Sequence, residues 1–131
     1  MRLCIDTNAF VDTIRGRGNL DRWMASADEL VVPYIVDADI RAGAMQARDP
    51  ADELQLYLDF LEACRPTVLF PDGRTTEAWA RIWIRLRAAG MPLADNDLWI
   101  PALCVQHGLV LLSRDRHFER LPDVPRISWE I

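Results

Sequence analysis

The chemistry available to this chain is concentrated in its aspartates. Asp6 ends a hydrophobic run, Leu3–Cys4–Ile5, and two more hydrogen-bonding side chains, Thr7 and Asn8, follow it directly. Asp39 stands shortly after the β-rich run Leu30–Val36, and Asp95 and Asp97 open a helical stretch that ends at His107. Asp115 follows the apolar run Leu109–Leu112 by way of Ser113 and Arg114. Carboxylates gathered in one place need a counter-charge, because two of them about 4 Å apart repel by roughly 4 kcal/mol at an effective dielectric near 20. Either their pKa values rise or a cation sits among them. An all-oxygen set without paired His or Cys selects Mg2+ or Mn2+. Such an ion lowers the pKa of water and clamps a phosphodiester for in-line displacement. Each aspartate also has a plain alternative as a cap or turn residue, so their common placement has to decide.

That placement follows from alternating strands and helices. Leu3–Asp6 reads as a short buried strand, Asn8–Ile14 as a helix and Leu20–Ala27 as a helical turn or two. Leu30–Val36 reads as a strand in which Pro33, unable to donate to a ladder, marks an edge position or a strand start. Asp37 is expected to cap the next helix, with Asp39 in its first turn. Asp49–Pro50 starts another, whose Leu54, Tyr57, Leu58 and Leu61 follow helical spacing. Thr67–Phe70 is a short strand; Thr75 or Thr76 caps a helix whose stripe of Trp79, Ile82, Trp83 and Leu86 reads as core. Asp95–His107 is helical and closed by Gly108, Leu109–Leu112 is a buried strand, and Ile127–Ile131 is a final one. The alternation predicts an α/β fold with a mostly parallel sheet covered on both faces. Ligands of open sheets bind beyond the carboxyl ends of the strands, the edge that Asp6, Asp39, Asp97 and Asp115 can share.

Composition narrows the alternatives. A chain of 131 residues, half of them hydrophobic, buries enough surface for one unstapled core. No apolar run approaches the roughly 20 residues of a membrane helix, and the N-terminus lacks the pattern of a signal peptide. Cys4, Cys64 and Cys104 are odd in number and widely spaced; they form no zinc pattern and read as thiols of a reduced, cytoplasmic protein. The net charge of -5 argues against a broad basic face for nucleic acid. All 15 basic residues are Arg, since the chain has no Lys. A P-loop and Schiff-base chemistry are thereby excluded, and no G-x-S-x-G elbow exists. A receiver or haloacid-dehalogenase-like phosphatase would want a lysine near its phosphate, and the latter a second aspartate where Asn8 stands.

Three segments, "CIDTNAF", "DADIRAGA" and "LADNDLWIPALCVQHGLVLLSRDRHF", together resemble a PIN domain of the VapC type, the toxins of bacterial toxin–antitoxin pairs. The resemblance is ordered and runs nearly end to end. It implies a single PIN domain over residues 1–131, built as a three-layer α/β/α sandwich around a central sheet of about five strands. It also implies a Mg2+-dependent (or Mn2+-dependent) endoribonuclease acting as the toxin of a type II pair. Asp6, Asp39, Asp97 and Asp115 match the family's acidic ligands, Thr7, Asn8 and Ser113 the polar residues that support them. Asp95 is a candidate extra ligand, and Arg114 and Arg116 are candidate RNA contacts. The implied partners are RNA, a cognate antitoxin over the active-site groove and a second copy of the chain; no membrane is implied.

Two departures from the family pattern stand out. Asp39 occupies a position where the family usually has Glu, about 1.5 Å longer in reach. Pro101 stands where Ala is preferred and is expected to loosen the helix start near Asp97. Both motivate an alternative, a PIN-like binding module with weakened catalysis.

Overall fold

The computed structural model describes residues 1–131 and gathers five strands into one parallel sheet. In chain order the elements are β1 (Arg2–Ile5), α1 (Thr7–Ile14), α2 (Asp21–Ser26), β2 (Glu29–Pro33), α3 (Tyr34–Met45), α4 (Pro50–Cys64) and β3 (Thr67–Leu69). They continue with α5 (Gly73–Ala88), a 3-10 turn at Asp95–Leu98, α6 (Trp99–His107), β4 (Val110–Leu112), a second 3-10 turn at Arg116–Arg120 and β5 (Arg126–Ile127). The spatial order is β3-β2-β1-β4-β5. The chain builds outward on one side of β1 and then crosses to the other. In open sheets such a reversal marks the ligand-binding edge, here the carboxyl ends of β1 and β4.

Alternation along the strands makes the sandwich. Leu3 and Ile5 of β1, with Leu30, Val32 and Leu112, form one core with Phe10 of α1, Val36 and Ile40 of α3, and Tyr57 and Phe60 of α4. Cys4, Val31 and Leu111 form the other with Ile82 and Leu86 of α5 and Ala102 and Cys104 of α6. The period of two thus sends neighbouring side chains into separate layers. Phe10 meets Tyr57 and Phe60 edge-to-face, each at 5.2 Å between centroids, a favourable aromatic geometry.

Several local expectations are corrected by packing. β2 ends at Pro33 and α3 starts at Tyr34, so Asp37 is not the cap. The β-branched Ile35–Val36 pair mimics a strand, but Val36 is fully buried within the helix, and tertiary packing overrides the propensity. Asp37 instead accepts from the Tyr57 hydroxyl at 2.6 Å and from Arg41 at 3.1 Å, and Asp39 falls in the second turn. Pro33 lies in an interior strand between β3 and β1, at its last position, where the ladder is ending. α5 is capped by Asp72, which accepts from the Arg74 and Thr75 amides while the Thr75 hydroxyl accepts from the Asp72 amide. Thr75 is therefore the reciprocal half of a capping box. Leu58 is exposed and Phe60 takes its place in the core. Trp79 and Trp83 are half-buried and stack on each other at the core's rim, with Arg87 over the Trp83 ring. Pro101 is the third residue of α6, where a helical N–H has no intrahelical partner, so it loosens nothing.

The last strand is only two residues long, because the chain turns back toward α1 and buries Trp129. Gly18, at φ 81, makes room for that ring: a Cβ there would lie 2.3 Å from Trp129 Cδ1. Gly18→Ala combines a left-handed backbone with a side-chain clash and is expected to cost about 2–3 kcal/mol. Denaturant unfolding monitored by tryptophan fluorescence measures it, and a loss below about 0.5 kcal/mol would contradict this packing.

Candidate active site

β1 ends in Asp6 because the same residue starts α1. Its backbone is extended (φ -94, ψ 178) and its Oδ1 accepts from the Ala9 amide at 2.8 Å, a helix cap. Its Oδ2 accepts from the Ser113 hydroxyl, one residue beyond β4. Asp6 is 6% exposed and Ser113 is fully buried. Burial pushes the Asp6 carboxyl up from its usual range. The Ser113 and Ala9 hydrogen bonds pull it back, the Asp115 charge adds to the rise, and the Arg114 charge opposes it. Cap and site residue are here one role: the cap fixes the carboxylate's direction at this edge.

β4 delivers the opposite wall. The Ser113 hydroxyl oxygen accepts from the Asp115 amide at 3.1 Å, so one serine links both aspartates. Asp115 in turn starts a short 3-10 turn, its Oδ1 accepting from the His117 amide at 2.9 Å, with His117 Nδ1 at 3.2 Å. From the next layer come Asp39 on α3 and Asp97 on the 3-10 turn before α6. Burial raises the Asp39 carboxyl, Asp97 raises it further, and the Thr7 hydroxyl lowers it. Asp39 lines an open groove with Thr7, Phe10, Ile40 and Gly43 between α1 and α3. Asn8 is exposed and makes no side-chain hydrogen bond. Asp95 lines a separate small recess with Trp83, Arg87 and Leu98, and its carbonyl accepts from the Trp79 indole. Arg114 and Arg116 are both exposed, and Arg114 is ion-paired with Asp12.

Asp12 is an acid that no motif in the sequence singles out. It is fully buried on α1. Its signal is its spacing, three residues after the buried Ala9, which puts an acid on the apolar face of the helix.

The carboxylates do not form a cage, although the Asp115 charge reaches Asp6 and the Asp97 charge reaches Asp39. No three acidic, His or Cys side chains stand close enough to enclose an ion by themselves. This arrangement fits a hard divalent cation that keeps several waters and takes only one or two carboxylates directly. Asp6 supplies the further match: a nearly buried carboxylate whose carboxyl is raised chiefly by burial.

The fold, the switch point and the carboxylates agree with a match in sequence: a family profile described as the PIN domain covers residues 3–124. The chain belongs to the PIN-domain family. Among its relatives, Ribonuclease VapC4 of Mycobacterium tuberculosis is 32% identical over 127 residues, 97% of this chain and 96% of that protein. In three dimensions this PIN domain is similar to a chain of VapBC2 from Rickettsia felis bound to a promoter DNA fragment. The TM-score is 0.86 at 19% identity, over 99% of this chain and 100% of that one. A chain of VapBC-1 from nontypeable Haemophilus influenzae has the same TM-score at 23% identity, over 98% of each chain. At these identities the two structures establish the PIN fold, the α/β/α sandwich expected from the sequence. No helix of this PIN domain is long and apolar enough to cross a membrane.

Proposed function

We propose that the chain, as one PIN domain, is the endoribonuclease toxin of a type II toxin–antitoxin pair and hydrolyses RNA phosphodiester bonds with Mg2+ or Mn2+. The observation that carries this reading is the near full-length kinship with a protein named as a VapC ribonuclease. The site chemistry is consistent with it. Asp6, Asp97 and Asp115 are the proposed metal-holding carboxylates, one or two of them directly and the others through the ion's water, with Asp39 at the groove side. When bound, the cation would neutralise phosphate charge and lower the pKa of water. The chain's own residues do the positioning. The Ala9 amide and the Ser113 hydroxyl fix the two oxygens of Asp6, and Ser113 also ties down the amide of Asp115. A dry, hydrogen-bonded carboxylate of this kind keeps its geometry through the reaction, which favours catalysis.

The partners belong to the same reading. Similar solved structures bear the names of VapBC complexes, which supports a cognate antitoxin, and a homodimer is expected alongside it. The test has two arms. Expression of the chain alone should arrest growth, and co-expression of the reading frame immediately upstream should relieve it. The purified chain should cleave single-stranded RNA in Mg2+ or Mn2+ and stop in EDTA. A chain that neither arrests growth nor cleaves RNA would instead be the binding module suggested by the short reach of Asp39.

A further inference from the structure

Asp12 is a fully buried carboxylate that the metal chemistry above does not use. Three groups converge on it. The Trp129 indole N–H donates to Oδ2 at 3.0 Å, Arg114 Nε lies 3.1 Å from the same oxygen, and an Arg17 terminal nitrogen lies 3.2 Å from Oδ1. Oδ1 receives no aligned hydrogen bond, so the Arg17 charge is what compensates it. A carboxylate this deep is unfavourable unless paired. It therefore knots together α1, the Gly16–Gly18 turn, the loop after β4 and the C-terminal segment.

Arg114 gives the knot a purpose. It stands between Ser113 and Asp115, both linked to Asp6 by the hydrogen bonds described above. A guanidinium among these carboxylates would ordinarily fold onto one of them, since opposite charges a few ångströms apart attract strongly. Its ion pair is made with Asp12 instead. That leaves its Nε edge committed and its two terminal nitrogens without a protein partner, on a side chain 38% exposed. With Arg116 and Arg126, and with Glu119 and Glu130 among the other lining residues, it borders an open cavity of about 470 Å³. Arg126 is occupied by the Ser113 carbonyl and Glu119, so Arg114 is the pre-oriented cation of the three. A guanidinium held on one side offers the planar fork that phosphate recognition needs.

We propose that Asp12 is a positioning residue that holds Arg114 so that its free guanidinium nitrogens bind an RNA phosphate beside Asp115, an inference that rests on the ribonuclease reading. The experiment is fluorescence anisotropy of a labelled, mixed-sequence single-stranded RNA oligonucleotide in EDTA, titrated across a range of salt. Arg114→Gln should weaken binding about tenfold and flatten the log–log salt slope by about 0.7, the value of one single-strand phosphate contact. Asp12→Asn keeps an oxygen for the Trp129 indole, loses the ion pair and should show the same change in slope. The double variant should bind no more weakly than Arg114→Gln, because Asp12 acts through Arg114. Arg114→Lys should recover the slope with only part of the affinity.

Arg114→Gln binding with the parent's affinity and slope overturns the proposal, and does so even when Asp12→Asn does not fold. Additive losses in the double variant overturn the positioning role. A parent chain that binds no RNA in EDTA yet cleaves it in Mn2+ overturns the Arg114 contact, whereas one that neither binds nor cleaves refutes the ribonuclease reading itself, which separates the two failures.

Discussion

Asp6→Asn and Asp97→Asn should each lower the proposed metal-dependent RNA cleavage by about three orders of magnitude, equivalent to about 4 kcal/mol of transition-state stabilisation. The exchange is nearly isosteric and retains the helix cap, because an amide oxygen still accepts from the Ala9 amide that now bonds Asp6 Oδ1. What disappears is the negative charge that a cation would require. Initial rates on an RNA oligonucleotide in Mn2+ measure the loss, and parent-like rates in both variants would remove these aspartates from the site. Stability moves the other way for Asp6. Its carboxyl is raised by burial, so the folded chain holds that proton more readily than the unfolded one. The contribution is fully present below the ordinary carboxylate range and is lost as pH rises through the raised value. At neutral pH the ionised, nearly buried Asp6 lowers stability, and Asp6→Asn relieves this. The variant should melt at or above the parent at pH 7, with the difference closing toward pH 4. An inactive variant that is no less stable is the expected signature of a site selected for reactivity.

The parts of this architecture that were legible in the sequence are those fixed by short-range pattern. Leu3–Ile5 and Leu109–Leu112 are apolar runs bounded by polar residues, and both become central strands. Asp49–Pro50 and Gly108 punctuate helices where they should. What was not legible depends on contacts far along the chain. The start of α3 is set by packing of Val36 against β1, β2 and α4, which outweighs a β-branched local sequence. The cap of α5 is shared with Gln106, 34 residues away. The spacing of Asp12 puts an acid on an apolar helix face, but its partners Arg114 and Trp129 come from the other end of the chain. For the candidate site the order of acids along the chain was readable because strand ends project to one edge. That no three of them close on one point was not, since it depends on where α3 and the turn before α6 sit in the folded chain.

Mn2+ should stabilise the parent chain by an amount large enough to read without any substrate. At a concentration about a hundred times its dissociation constant, an ion bound only by the folded state adds about 2.7 kcal/mol, which for a domain of this size is about 10 °C in Tm. The shift should be reversed by EDTA and absent in Asp6→Asn, whose amide oxygen is a poor substitute for a carboxylate beside Ser113. Because Asp6 must be ionised to ligate and its carboxyl is raised by burial, the metal-induced shift should shrink as pH falls through that raised value. The chain without metal behaves oppositely at this position, gaining stability there as the proton arrives. The two melting curves, with and without Mn2+, should therefore converge as the solution is acidified from pH 7. A shift of equal size in Asp6→Asn, or one that is flat with pH, would place the ion at other carboxylates and leave Asp6 as a helix cap alone.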